Sequence, residues 1–463
     1  MEKDRIIDEG VLQKIQGATA ISSPETVRGI LQEAKKLKGL SIEQVAALST
    51  IEDPALTREL YDTARFVKET IYGRRLVLFA PLYISNLCAN ECLYCAFRVR
   101  NKEVHRRALT QDEISREVKT LVDMGHKRIL LVAGESYPSD GFSYVLDSVR
   151  TIYGVKSGKG SIRRVNVNVA PLTADEFTQL KSMNIGTYQL FQETYHRETY
   201  ARMHLAGKKK DYDWRITALD RAMEAGIDDV GIGVLFGLYD WKFEILALMQ
   251  HIRWLESKFG VGPHTISVPR LEPATGSALA SEPPYPVTDE DFKKIVAILR
   301  IAVPYTGIIM STRETARTRK ETFTLGVSQI SAGSRTNPGG YSTECTADDE
   351  SQFSLGDHRS LDEVIHDIAS LGYIPSFCTG CYRLGRTGAD FMDLAKPGEI
   401  KHHCDPNAVS TFEEYLEDYA TPETRAIGDS AIASFLDGMD AVSRKRAETL
   451  LAKVKSGGRD VFC

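Results

Sequence analysis

The chain has 463 residues, 42% hydrophobic and 26% charged, with a formal net charge of -5, a balance that suits one large barrel with additions or two to three smaller domains. That charge offers no global basic field, so no nucleic-acid partner is expected. No apolar run reaches the ~20 residues needed to cross a bilayer, and the charged start MEKDRIIDEG lacks the apolar core of a signal peptide, so no membrane association and a cytoplasmic location are expected.

Residues 1–75 read as a helical segment. Ser23-Pro24-Glu25 opens one helix, which runs amphipathically to Gly39; Ser41-Ile42-Glu43 opens another, and LTRELYDTARFVKETIYG forms a third. No ligand-type cluster falls here, which fits a packing or lid role.

From residue 76 apolar runs alternate with helical patterns. The strand-like runs are LVLFAPLYIS, RILLVAGE, RRVNVNVA, GTYQLFQE, DVGIGVLFGL, TISVPRLEP, GIIMST and, more weakly, VSQISAG. Eight such alternations predict an α/β fold with a TIM-type (β/α)8 barrel over residues 76–333. A six-strand partial barrel is the alternative, because the last two units carry the weakest pattern. Either way, chemistry belongs at the C-terminal ends of the strands. That rule selects Cys88, Cys92 and Cys95 after strand one and Ala133-Gly134-Glu135 after strand two. It also selects Gln192 and Glu193 at the end of strand four, and Ser311 and Arg313 after strand seven; His264 precedes strand six.

Residues 334–463 form the third predicted unit. A glycine-rich polar stretch over 333–356 reads as a loop, followed by the helix SLDEVIHDIASLG, a cysteine-bearing segment and two charged helices. Eight cysteines in a reducing compartment are ligands more readily than disulfides. Six of them form two trios, and Cys345 and Cys463 read as bystanders.

The first trio has the spacing C-x3-C-x2-C, with Tyr94 just before the last cysteine. Three thiolates hold three corners of a 4Fe-4S cube and leave one iron open, which a four-cysteine ferredoxin site does not. A structural zinc knuckle is the competing reading, although zinc usually takes two paired motifs. The pattern resembles the radical S-adenosylmethionine (SAM) enzymes. That resemblance implies SAM bound at the open iron and cleaved to a 5'-deoxyadenosyl radical.

The second trio, Cys378, Cys381 and Cys404, has the spacing C-x2-C-x22-C. It allows a second cube with an open iron. It equally allows a Cys3His zinc site completed by His402 or His403.

The two trios and the barrel, with GPHTISVPRLEP, DYDWRITALDRAMEAGIDDVG, QISAGS and CYRLGRTGADFM, resemble the HydG family of tyrosine lyases that mature FeFe-hydrogenase. The resemblance spans essentially the whole chain. It implies a SAM-binding 4Fe-4S cluster on Cys88, Cys92 and Cys95, and an auxiliary 4Fe-4S cluster on Cys378, Cys381 and Cys404 that carries an extra iron ligated by His264. It implies cleavage of L-tyrosine to p-cresol and dehydroglycine, and conversion of the latter to CO and cyanide on iron. Free cysteine serves as an iron ligand, a flavodoxin or ferredoxin as reductant, and other hydrogenase maturation proteins as partners.

Ala133-Gly134-Glu135 falls where the family has Gly-Gly-Glu, so Glu135 is expected at the SAM ammonium. Glu193 and Arg215 are expected at the SAM ribose and carboxylate, or in a surface salt bridge. Arg313 resembles the arginine that clamps the substrate carboxylate; a barrel-rim arginine is the alternative. For a lone histidine such as His264 the plain alternative is a satisfied structural side chain. Arg335 and residues 208–210, all lysine, read as solvated charges. Two other functions stand beside this one. One is a single-cluster tyrosine lyase of the thiamine type with a zinc-bound tail; the other is a non-catalytic iron–sulfur scaffold, against which Glu135 and Arg313 argue.

Overall fold

The computed structural model describes residues 5–19, 22–342 and 351–463. Cys345 lies outside the described residues.

Eight parallel strands close a barrel. In chain order they are β1 (Arg75–Ser85), β2 (Arg128–Ala133), β3 (Arg164–Asn168), β4 (Tyr188–Glu193), β5 (Val230–Val234), β6 (Thr265–Ser267), β7 (Gly307–Met310) and β8 (Gln329–Ser331). Each pairs with the next, and β8 returns to β1 through Val77–Gln329, Leu78–Ile330 and Phe79–Ser331. All eight expected strands are present and the partial-barrel alternative falls away. Parallel strands covered on both faces read as near-continuous apolar runs, which is why β1, buried along all 11 residues, is plain in sequence. The short polar β8 is faint, yet its pairings on both sides close the ring.

A ninth strand, β9 (Ile374–Ser376), pairs in parallel with Arg75, Leu76 and Val77 at the N-terminal end of β1. It was not anticipated. Pro375 sits within it, which an edge strand tolerates because one side of its ladder needs no donor. Immediately after β9 comes Cys378. At the other end of β1, three residues past Ser85, comes Cys88. With a rise of ~3.3 Å per residue, β1 extends roughly 35 Å between the two cysteine-bearing segments.

The N-terminal helices Glu9–Ala18, Ile42–Ser49 and Pro54–Tyr72 pack on the barrel helices Trp241–Phe259 and Asp289–Ala302, and Pro24–Ala34 packs on the latter two N-terminal helices. Ser23 caps the second by accepting the Thr26 N–H, and Ser41 with Gln44 forms a capping box on the third. The second helix stops at Ala34, short of the expected Gly39, because Leu37 and Gly39 turn into positive φ. Beyond β8, the helix Lys401–Asp418 carries Cys404 and packs on β9 and on Ala441–Lys455.

Candidate active site

Cys88, Cys92 and Cys95 line one cavity of about 190 Å³ at the C-terminal end of the barrel. Their loop is held by its backbone: Leu93 N–H donates to Met203 O, Glu91 N–H to Ala206 O and Leu205 N–H to Glu91 O, at 2.9–3.0 Å. The buried Glu91 carboxylate accepts from the Arg98 guanidinium at 2.7 Å and from the Arg100 N–H at 3.0 Å. Burial raises all three thiols above their ordinary range, Cys95 to about 11. Thiols of that kind ionise when a metal compensates them, with release of protons.

Ala133, Gly134 and Glu135 line the same cavity. A Cβ on Gly134 would collide with the Leu87 carbonyl. The close backbone approach therefore lies at the glycine this chain keeps. The alanine beside it ends β2 and pairs with Ser85.

Four largely buried charges form a ring on the cavity wall. Arg215 donates to Glu135 at 2.9 Å and Lys209 to Glu193 at 2.6 Å; Arg215 lies 3.6 Å from Glu193 and Lys209 lies 4.0 Å from Glu135. Burial works against both carboxylates, but Arg215 and Lys209 hold them below the usual range. Burial and Arg215 oppose the Lys209 charge, yet Glu193 and Glu135 keep its amine above its ordinary value. The Arg215 side chain is 3% exposed, so a surface salt bridge is excluded. Lys209 corrects the expectation of solvated lysines over residues 208–210. Gly207, with a positive φ and tight packing on Asn90, presses the lysine turn onto the cysteine loop. Asn90 ties the parts together by donating to Glu135 at 2.7 Å and accepting the Lys209 N–H at 3.0 Å.

Glu193 has φ of 72°, a left-handed conformation costly for a residue with a Cβ. It sits at a bulge between Phe191 and Glu193 that re-aims its side chain into the cavity. Gln192, the extra residue of that bulge, does not line the cavity and its Nε2 has no hydrogen-bond partner among the described residues. The expected cofactor contact at Gln192 is corrected accordingly.

Tyr94 Oη lies 2.8 Å from His204 Nε2, and His204 Nδ1 lies 2.8 Å from the Tyr200 carbonyl. A carbonyl only accepts, so Nδ1 carries the proton and Nε2 accepts from Tyr94. Burial holds His204 neutral. Ser311 and Arg313 also line the cavity. The Arg313 guanidinium stacks on Phe353, 3.2 Å from the ring centroid. Among the described residues no carboxylate pairs with it, and burial lowers its pKa. An arginine so placed is a fork awaiting an anion.

The second trio lies at the opposite end. Cys378, Cys381 and Cys404 line a cavity of about 60 Å³ together with His264, Arg75, Arg128 and Arg386. The neighbouring Cys381 lowers the Cys404 thiol, while Cys404 and burial raise that of Cys381. Among the described residues the Nε atoms of Arg128 and Arg386 are buried without hydrogen-bond partners, Arg75 Nε lies 3.5 Å from Asp405, and Arg128 also donates to the Cys378 carbonyl at 2.7 Å. Three clustered thiols beside three buried guanidinium groups suit an anionic thiolate-bound cluster. His264 Nε2 faces Tyr382 Oη at 3.3 Å, and its Nδ1 lies 3.5 Å from Asp229. Burial holds it neutral, as a metal-ligating imidazole must be.

His402 and His403 do not line this cavity. His402 lies 3.1 Å from Asp440 and Ser443, and His403 lies 3.0 Å from Arg386. The Cys3His arrangement loses both of its expected imidazoles. Cys463 is held near this site through its backbone, which pairs with Asn407 and Arg386.

The two cavities occupy successive layers of the barrel interior. Val77, Gly307 and Gln329 line the lower one, and two residues further along the same strands Phe79, Ile309 and Ser331 line the upper.

Residues 82–250 match the radical SAM superfamily, and residues 267–374 match the biotin and thiamin synthesis associated domain. The solved structure of HydG, a maturase of FeFe-hydrogenase, superposes with a TM-score of 0.95 at 48% identity, covering 99% of this chain and 100% of that one. The FeFe-hydrogenase maturase HydG from Carboxydothermus hydrogenoformans superposes at 0.83 with 42% identity, over 96% and 98% of the two chains. The 2-iminoacetate synthase of Escherichia coli is 31% identical over 357 residues, 77% of this chain and 92% of its own.

Proposed function

This chain belongs to the radical SAM superfamily and, within it, to the HydG-type maturases, and from that premise we propose that it cleaves L-tyrosine at one end of its barrel and assembles an iron-bound CO and cyanide unit at the other. One observation carries the reading: β1 joins the two cysteine trios, with Cys88 following its C-terminal end and Cys378 following the strand paired to its N-terminal end.

In the upper cavity a 4Fe-4S cluster on Cys88, Cys92 and Cys95, with SAM, supplies a hydrogen-abstracting radical when bound. The chain's own groups do the rest. Glu135, kept anionic by Arg215 and Lys209, accepts from the SAM ammonium beside the Ala133–Gly134 backbone. Glu193 accepts from the ribose hydroxyls, and Arg215 balances the charge. Arg313 grips the tyrosine carboxylate bidentately, fixed in place by Phe353, with Ser311 beside it. The apolar wall of Phe79, Leu130 and Leu235 keeps water from the reacting atoms. Breaking the Cα–Cβ bond then yields p-cresol and dehydroglycine. The E. coli relative is a 2-iminoacetate synthase, and 2-iminoacetate is dehydroglycine.

In the lower cavity Cys378, Cys381 and Cys404 would hold an auxiliary 4Fe-4S cluster and His264 would ligate the extra iron. Free cysteine would complete that iron's ligands, and the bound group would supply the place where CO and cyanide from dehydroglycine are gathered for other hydrogenase maturation proteins. Electrons come from a flavodoxin or ferredoxin. No described helix is long and apolar enough to cross a membrane, in keeping with a cytoplasmic setting. The positions of His402 and His403 tell against a zinc-bound tail, and Arg313 without a carboxylate partner tells against a scaffold.

The test is anaerobic turnover of cluster-replete protein with tyrosine, SAM and a reductant. Both p-cresol and CO are expected. Absence of p-cresol overturns the reading; p-cresol without CO confines the protein to the lyase step.

A further inference from the structure

The chain is net acidic, at -5, yet two stretches run the other way. Residues 98–107 carry five Lys and Arg against one carboxylate, Glu103, and residues 202–210 carry four against none. Folding brings both stretches onto the loop that holds the first trio. Val99 N–H donates to the Asn90 carbonyl and Leu205 N–H to the Glu91 carbonyl, each at 2.9 Å. Arg100 N–H donates to the Glu91 carboxylate and Lys209 N–H to the Asn90 side chain, each at 3.0 Å.

Part of that charge is engaged inside the molecule: Arg98 on Glu91, Arg106 on backbone carbonyls, Arg107 on Glu113 and Lys209 on Glu193. Arg100, Lys102, Lys208 and Lys210 are exposed, and among the described residues no carboxylate pairs with them. Arg202, also exposed, has Glu198 at 3.9 Å. The exposed carboxylates beside these cations are Glu103, Glu198 and Asp211, and Asp211 is taken up in capping a helix through the Trp214 N–H.

Among the cations stand Val99 and Leu205, 40% and 44% exposed. Single exposed apolar side chains are ordinary, but these two hang on backbone bonds to consecutive residues and so form one apolar spot flanked by charge, the anatomy of a docking face. Leu205 follows His204, which pairs with Cys92. A paired Cα at ~4.5–5.5 Å and the next one ~3.8 Å along the chain place the Leu205 Cα within about 10 Å of the Cys92 Cα. None of Val99, Arg100, Lys102, Leu205, Lys208 and Lys210 lines the upper cavity, so a partner seated on them leaves that cavity to cofactor and substrate.

We propose that this face docks a small acidic one-electron carrier protein that reduces the upper cluster. The proposal rests on radical SAM chemistry at the first trio and not on tyrosine as the substrate. One electron leaves the carrier, which is oxidised by one, and reaches the cluster, which is reduced by one; no bond or proton moves. Charge complementarity selects an acidic partner and steers its approach. The apolar centre and the acidic balance of the rest of the chain favour a protein over a nucleic acid.

The test uses flavodoxin, an acidic carrier, with the cluster-replete protein. Binding of oxidised flavodoxin is followed by titration calorimetry, and anaerobic SAM cleavage is driven either by reduced flavodoxin or by dithionite. Lys208→Glu/Lys210→Glu and Arg100→Glu/Lys102→Glu should each weaken binding at least about tenfold and slow flavodoxin-driven cleavage, with dithionite-driven cleavage at the wild-type rate. Lys445→Glu/Lys453→Glu makes the same charge change at exposed positions of the helix Ala441–Lys455 and should alter neither. Wild-type binding should weaken as salt shortens the screening length from ~30 Å at ~0.01 M to ~3 Å at ~1 M. Absence of flavodoxin binding, binding indifferent to salt, or equal loss in the remote pair overturns the proposal. So does an equal loss with dithionite, which would show that these cations serve the loop and not a partner. So does unchanged flavodoxin binding in variants that lose self-association or adhesion to anionic phosphatidylglycerol vesicles, which would give the face to a second copy or to a membrane. If the charge variants do not fold, Leu205→Ser should weaken flavodoxin binding severalfold, and unchanged affinity in it overturns the proposal.

Discussion

Gly134 passes so close to Leu87 that a Cβ added to it would collide with the Leu87 carbonyl oxygen. Leu87 immediately precedes Cys88, so Gly134→Ala must push the cysteine loop outward or distort β2. The predicted result is selective loss of the upper cluster: reconstituted iron falls from roughly eight per chain to roughly four, with the lower trio still loaded. Full iron content in Gly134→Ala would show that the contact does not position the loop.

Lys209 and Glu193 are both nearly buried, at 10% and 12% side-chain exposure. Removing one partner of a buried pair leaves the other charge uncompensated, typically at ~3–5 kcal/mol. Arg215 at 3.6 Å still faces Glu193, so Lys209→Met is placed at the low end, about 3 kcal/mol, read as a lowered thermal midpoint. Adding Glu193→Gln should recover part of that loss. Strict additivity of the two substitutions would mean that they do not interact.

Arg313 has no carboxylate partner among the described residues and stacks on Phe353. Arg313→Lys keeps the charge but loses the bidentate fork. Tyrosine affinity is predicted to fall about 10- to 160-fold, the range of a charged hydrogen bond of ~1.5–3 kcal/mol, with SAM affinity unchanged. An equal fall in both affinities would remove Arg313 from the tyrosine carboxylate.

Glu244 is fully buried and accepts from the Thr194 hydroxyl and from the Tyr195 N–H at 2.9 Å. Burial pushes its carboxyl up to about 8 from 4.5. Folded protein therefore keeps a proton that unfolded chain releases above 4.5. Stability supplied by this group is present below pH 4.5 and is lost as pH rises toward 8, at up to ~1.4 kcal/mol per pH unit. Denaturation curves across that window should show the fall in wild type and a flatter profile in Glu244→Gln. Identical profiles would mean that Glu244 does not carry the pH dependence.

Legibility in the sequence followed how local each signal was. The barrel strands were visible because burial on both faces leaves unbroken apolar runs, as in β1. β9 was not, since three residues with an internal proline carry no period. The cysteines announced themselves by spacing, but Lys209 acts through Glu135 and Glu193, far away in sequence, and one lysine of three in a short turn has no distinguishing pattern. Gln192 failed for the opposite reason: it lies on a strand end where alternation is trusted, and a bulge broke the alternation. His402 and His403 neighbour Cys404, but helical rotation of ~100° per residue turns them from the cavity that Cys404 faces.

The central claim is that the two ends of β1 do different chemistry, and the double variant Cys378→Ala/Cys381→Ala tests it most directly. Anaerobic turnover with tyrosine, SAM and reductant should give p-cresol at close to the wild-type rate with no CO. Equal loss of p-cresol and CO in that variant would contradict the account.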